Sequence, residues 1–326
     1  MRRRVLPVEN YDGQSLFSGM PADVERVFRF FRPKPSPVPL IRVGGVKDGA
    51  YLVPDCLRGV VACFSPGVAN RKDFEDELLA GHGLRSHMID FSSEEADFAT
   101  PLAEGMQTFE KKWLSPDGGP DSITLSDWVE SREPQRDLLL QMDIEGAEYE
   151  NLLSTHLDTV KRFRVMVIEF HRLGKMLCSQ DLEKVLLPLV EHLEGTFVSV
   201  HAHPNNCDPS RLLFESGVRM PEVLEVTFLR LDQFRGFEAS SLIQPRLPHP
   251  EDISRNVRGK PYLGLGFGWA DTRPSFRQIQ RRAVAWIFDF SYRNDLPGRR
   301  DSAYLRLPKR VRVLLSQTRK RVRARL

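Results

Sequence analysis

The chain has 326 residues, of which 41% are hydrophobic and 28% charged, with a formal net charge of +3; that composition excludes a disordered or fibrous polypeptide and suits one large core with extensions. No run reaches the ~18 apolar residues of a membrane span, and Cys56, Cys63, Cys178 and Cys207 have neither the density of a disulfide scaffold nor C-x-x-C spacing. The charge is uneven, because residues 299–326 hold eleven Lys and Arg against one acid and leave −7 on the remainder.

Met1-Arg2-Arg3-Arg4 is followed by Pro7, Glu9, Asn10 and Asp12 instead of an apolar segment, so no export signal is read and a cytoplasmic location with reduced thiols is expected. Residues 1–38 form a lead-in with a short helix over 21–31, ended by Pro33, Pro35, Pro37 and Pro39. From residue 40 strands and helices alternate, which predicts a mostly parallel sheet covered on both faces. A hairpin is expected over 40–43 and 51–53 around Lys47-Asp48-Gly49. Buried strands follow at 60–64, 86–89, 137–142 and 163–168, with helices at 74–82, 148–153 and 180–192. The acids Asp73, Glu75, Asp76 and Glu77 fall in the first turn of the first of these helices, where the dipole favours them. Strands at 196–201 and 222–231, separated by a loop over 202–220, close the domain.

In such a sheet ligands sit beyond the carboxyl ends of the strands, where strand order reverses. Gly67 follows the first buried strand, in the loop that begins at Ser65, and its missing Cβ would let backbone N–H groups approach an anionic ligand. Asp90 ends the next strand, close to the ~20-residue offset at which an acid accepts hydrogen bonds from a ribose. Asp143 ends a central strand, Glu145 and Glu148 follow it, and Glu169 and His171 end the next.

Leu139-Leu140-Gln141-Met142-Asp143-Ile144-Glu145-Gly146-Ala147-Glu148 resembles the LLKiDvEGaE segment of the FkbM-type methyltransferases. Further stretches resemble that family in order: Arg42-Val43-Gly44 with Asp48-Gly49-Ala50-Tyr51, Ser65-Pro66-Gly67-Val68 with Phe74-Glu75, Thr124-Leu125-Ser126-Asp127, Val167-Ile168-Glu169-Phe170-His171, and Asn205-Asn206 with the strand 224–228. Ala50 and Ala69 stand where glycines are usual. The resemblance covers about residues 40–232. It implies a Rossmann-like class I methyltransferase fold with a closing antiparallel strand, and S-adenosylmethionine as cofactor. By the same resemblance the amino-acid end of the cofactor meets the loop of Ser65 and Gly67, its ribose meets Asp90, and its adenine lies near the stretch Ser122–Asp127. Asp143 faces the cofactor cleft. The implied acceptor is a hydroxyl of a sugar or glycosylated metabolite, with a lipid or polyketide hydroxyl, or a non-catalytic binding or scaffold protein on the same fold, as the alternatives.

Methyl transfer from a sulfonium is an in-line displacement, so the protein must align three atoms and relieve an alcohol of its proton. His171 or Asp143 is the expected base, with Glu145 and Glu169 orienting the acceptor or holding a metal. No metal ligand set is assigned. Against these roles stand ordinary ones: Asp143, Glu145 and Glu148 as helix-capping acids, His171 as a satisfied buried histidine, and His201, His203, Asn205 and Asn206 as solvent-facing or turn residues. The organisation read from the sequence is a lead-in (1–38), a methyltransferase domain (39–245), an extension (246–298) that includes Trp269 and Trp286, and a basic tail (299–326). The tail offers weak contact with an anionic surface, and nucleic acid is not an expected partner, since no stacking aromatics interleave its basic residues.

Overall fold

Apolar residues on both faces of the central strands dictate the architecture. Leu138, Leu140 and Met142 pack into one buried cluster and Leu139 into the other, so their strand is covered above and below. The structure, a computed structural model, describes residues 19–269 except 134, 215–216, 253–255 and 267. The basic tail, Trp286 and the first eighteen residues lie outside the described residues.

The elements in chain order are α1 (Ala22–Phe31), the hairpin β1 (Leu40–Val43) and β2 (Tyr51–Pro54), β3 (Val60–Pro66), α2 (Asp73–His82), β4 (Arg85–Ile89) and β5 (Gln107–Glu110). Two short strands, β6 (Trp113–Leu114) and β7 (Ser122–Ile123), precede α3 (Leu125–Arg132), β8 (Asp137–Met142), α4 (Glu148–Ser154), α5 (Leu157–Val160) and β9 (Phe163–Phe170). Then come α6 (Leu173–Met176), a π-helical turn over Leu182–Leu186 that runs into α7 (Leu187–Leu193), β10 (Phe197–Pro204), the hairpin β11 (Ser210–Leu213) and β12 (Val218–Pro221), and β13 (Leu224–Arg230).

The main sheet has seven strands in the order β10-β13-β9-β8-β3-β4-β5, with β13 antiparallel to both neighbours and the other pairs parallel. This is the expected Rossmann-like fold with its closing antiparallel strand. The chain leaves β3 toward β4 and β5, then returns to β8 on the other side, so the order reverses between β3 and β8. In open α/β sheets ligands bind at such a reversal, outside the carboxyl ends of the strands.

Differences from the sequence reading have local causes. The helix over 180–192 is divided, because Pro188 cannot donate a backbone N–H and takes the first turn of α7. The loop over 202–220 is ordered by β11 and β12. The lead-in helix α1 is part of the core, with Val24, Val27, Phe28 and Phe31 fully buried. Trp269, in the extension, is also fully buried; its ring meets Phe28 edge-on at 4.8 Å and its Nε1 donates to the Arg219 carbonyl at 2.9 Å. No described helix is long and apolar enough to cross a membrane.

Candidate active site

At the reversal the ends of β3, β4 and β8 are stitched together. The Asp143 N–H donates to the Pro66 carbonyl at 3.2 Å, and the Gly67 N–H donates to the Ile89 carbonyl at 2.9 Å. Gly67 has φ of +82°, and a Cβ there would lie 1.7 Å from the Asp143 carbonyl oxygen. Its missing side chain therefore admits the backbone of the β8 end, where the sequence reading had it admit a ligand. Gly67, Asp90 and Asp143 do converge.

Asp90 differs from a bare ribose acceptor. Its Oδ2 accepts from the Val68 N–H (3.1 Å), the Ala69 N–H (2.9 Å) and the Ser93 hydroxyl (2.8 Å), and its Oδ1 from the Ser92 N–H (2.8 Å) and hydroxyl (2.7 Å). Burial raises its pKa, but the bonds from Ser92, the Ala69 N–H and Ser93 outweigh that and hold the carboxyl below its ordinary value. A carboxylate offers about four lone-pair sites, so in this arrangement the loop itself fills Asp90. The same loop carries Ala69 and Asn70 at φ of 45° and 57°, a left-handed conformation that explains why glycine suits position 69.

Ser65 and Asp127 are engaged by the protein's own groups. Ser65 is fully buried with its hydroxyl 3.3 Å from the Cys63 sulfur and hydrogen-bonded to Glu75, so the pleat turns it toward α2 instead of the cleft. Thr124 caps α3, and Asp127 in its first turn is taken up by that cap: the Asp127 N–H donates to Thr124 Oγ1 at 3.0 Å and its carboxylate accepts from the same hydroxyl at 2.8 Å.

The strand ends of β8 and β9 bring four carboxyl groups around one histidine. Glu148 is fully buried, and its Oε1 accepts from the N–H groups of Ile144 (3.2 Å) and Gly146 (3.0 Å) and meets His171 Nδ1 at 3.0 Å. An oxygen of that kind takes the Nδ1 hydrogen, which leaves the lone pair of the neutral ring on Nε2. Nε2 in turn lies 3.4 Å from Glu145 Oε2, 3.5 Å from Glu169 Oε1 and 3.9 Å from Asp143 Oδ1. Burial lowers the His171 pKa, yet the hydrogen bond and charge of Glu148 with the charges of Asp143 and Glu145 raise it above the ordinary value. Asp143 is pushed up to about 7, mainly by burial and then by Glu145, Glu148 and Glu225 against the opposing His171. Glu145 has φ of 56° and Arg172 φ of 59°, so the residues beside Asp143 and His171 hold backbone conformations that L-residues seldom adopt. Asp143, Glu145, Glu169 and His171 are thus brought together, and Glu148 is their buttress; in addition to its position at the start of α4, it binds the histidine.

Residues the sequence reading passed over extend this cluster along the same edge. Glu225 pairs with Glu169 across β13 and β9, and with His203 across β10. Burial drives Glu169 well above its usual pKa and Glu225 to about 7. His201, His203, Asn205 and Asn206 are buried instead of solvent-facing. His201 and His203 meet Asp252 at 2.9 and 3.7 Å, Asn205 donates to Glu169 at 3.0 Å, and Asn256 donates to Glu225 at 2.6 Å and Asp48 at 2.8 Å. Asn206 donates to the Val257 and Pro261 carbonyls, so the extension is strapped over the sheet end. Acids at Glu169 and Glu225 within otherwise apolar strands were the available signal.

Residues 55–210 match the family described as the methyltransferase FkbM domain. No curated protein matches the chain. Among solved structures, the Methanococcus jannaschii fibrillarin pre-rRNA processing protein is 10% identical, with 52% of this chain and 66% of its own length covered and a TM-score of 0.31.

Proposed function

We propose that the protein is an S-adenosylmethionine-dependent O-methyltransferase acting on a hydroxyl of a sugar or glycosylated metabolite, a reading supported by the match of residues 55–210 to the methyltransferase FkbM domain. The observation that carries this reading is the contact between the Gly67 loop and Asp143, 3.9 Å from His171 Nε2. It puts a proton acceptor next to the loop that would hold the methyl donor.

In this reading the segment around Gly67 lies against the amino-acid end of the cofactor, and Asp90 receives the ribose after Ser92 and Ser93 release it. Ser65 and Asp127 take no part. His171 Nε2 and Asp143 are the groups that receive the acceptor's proton, Glu148 orients the ring, and Glu145, exposed at the cleft, orients the acceptor. A lipid or polyketide hydroxyl is the alternative substrate class. We also assign the protein to the cytoplasm, with the basic tail as its contact for anionic surfaces.

The saturation of Asp90 favours a second reading, a non-catalytic scaffold whose cofactor loop is shut. Thermal melting with S-adenosylhomocysteine separates the two: a rise in Tm that Asp90→Ala abolishes supports the enzyme, and no rise supports the scaffold. With a found acceptor, Asp143→Asn or His171→Ala should lose at least ~10²-fold in turnover. Full activity in both variants removes the proposed base.

A further inference from the structure

We propose that Asp143, Glu145 and His171 bind one divalent cation of the Mg²⁺ or Mn²⁺ class, with Glu148 as the buttress of the histidine ligand. One ligand atom from each of the three lies within 4.8 Å of the other two. Atoms held ~2.0–2.4 Å from a common ion lie roughly 3–4.5 Å apart, and the Nε2 distances of 3.4 Å to Glu145 and 3.9 Å to Asp143 fall in that range. Two carboxylates and one imidazole form a mostly oxygen donor set, which suits these hard cations.

Three observations separate this cluster from an ordinary acidic patch. Asp143 Oδ1 is buried without a hydrogen-bond partner, although the whole side chain is 30% exposed; a buried acceptor without a donor is costly, and a cation satisfies it. Glu148, fully buried, holds the far nitrogen of His171 at 3.0 Å, the outer-shell arrangement that fixes a ligating ring with its other nitrogen toward the ion. The charge balance also differs between the two edges of the sheet. At the opposite edge Asp137 is neutralised by Arg164 at 2.7 Å and Arg230 at 2.9 Å. At this edge Asp143, Glu145, Glu148 and Glu169 share His171 as their one cationic partner among the described residues.

The site deepens the proposed function and rests on it only for purpose. An ion here would hold the acceptor hydroxyl as a Lewis acid and engage Nε2, leaving the second oxygen of Asp143 as the acceptor for the hydroxyl proton. The full chain, stripped with a chelator, is titrated with Mn²⁺ while free Mn²⁺ is followed by electron paramagnetic resonance. One site per chain is expected, displaced by Mg²⁺, with Kd raised at least ~10-fold in Glu145→Gln, His171→Ala and Glu148→Gln. Glu145 lies on an exposed turn, so its variant keeps the fold, and melting curves verify that for all three. Absence of Mn²⁺ binding by the wild type, or equal binding by folded Glu145→Gln and His171→Ala, overturns the site. Melting with S-adenosylhomocysteine runs beside the titration. Cofactor binding without Mn²⁺ removes the metal site alone, whereas Mn²⁺ binding without the cofactor supports the metal site and removes the methyltransferase reading.

Discussion

Glu148→Gln isolates the contact on which the candidate active site turns. Gln has nearly the same shape, and its carbonyl oxygen can still accept from the Ile144 and Gly146 N–H groups and from His171 Nδ1. The charge is lost, and an amide group replaces Oε2, which has no partner to lose. Bonds to charged groups contribute about 1.5–3 kcal/mol against about 1 for neutral ones, so a penalty on the order of 1–2 kcal/mol is expected where His171 is protonated. The folded-state pKa of His171 is raised by Glu148 above the ordinary ~6.5. Stability from the charged ring is therefore complete below the unfolded value and lost as pH rises through the folded one. The variant should be destabilised more at pH 6 than at pH 9 in urea unfolding, and the His171 ring should titrate at lower pH by NMR. Glu148 also helps to raise Asp143 to about 7, so Asp143 should titrate lower in the variant; an acid whose folded pKa is raised costs stability at high pH, and relief of that cost makes the penalty at pH 9 smaller still. An unchanged His171 titration, or an equal penalty at both pH values, refutes the pairing.

Ala69→Gly should raise Tm by up to ~1 kcal/mol equivalent, because a left-handed alanine costs ~1–2 kcal/mol and the added chain entropy of glycine offsets part of the gain; a lower Tm refutes strain in the loop. Asp252→Asn should cost about 1–3 kcal/mol at pH 7, where His201 and His203 lose their partner. The folded-state pKa of Asp252 is depressed, so its contribution is present above ~4 and fades as pH falls; a difference that persists undiminished at pH 2 by urea unfolding contradicts the assignment. Trp269→Ala should cost ~3–5 kcal/mol in chemical denaturation, since a fully buried ring leaves a cavity against Phe28. A loss under ~1 kcal/mol would mean that the extension is not part of the core.

The central strands were legible because they are buried on both faces and read as continuous apolar runs, as Val165-Met166-Val167-Ile168 does. Strand β5 was not, since Gln107-Thr108-Phe109-Glu110 is a half-buried edge strand with no such run. Asp143 and His171 were recognisable from position alone, at the carboxyl ends of β8 and β9. Ser65 and Asp127 looked equivalent in one dimension, but pleat parity turns Ser65 toward Cys63 and Glu75, and the α3 cap takes up Asp127.

Parity also accounts for what was missed. Glu169 shares a strand face with Val165 and Val167, and this face is covered by the β1–β2 hairpin around Tyr51 and Val53. Its antiparallel partner across β13 is Glu225, so two carboxylates stand opposite one another on a covered surface, where like charges are unfavourable. Proton sharing is one remedy, and the raised pKa values of both groups are its signature. Charge from histidine is another, supplied by His203 beside Glu225 and His171 beside Glu169. A fold that needed only stability would fill these positions with valine, as the neighbouring positions are filled. Acids at these positions suit an edge that handles protons and cations, and replacing Glu225 with Gln should then bring Asp143 down from about 7 by removing one of the charges that raise it. An Asp143 titration that stays in place in Glu225→Gln would separate the two halves of the edge and confine the chemistry to β8 and β9.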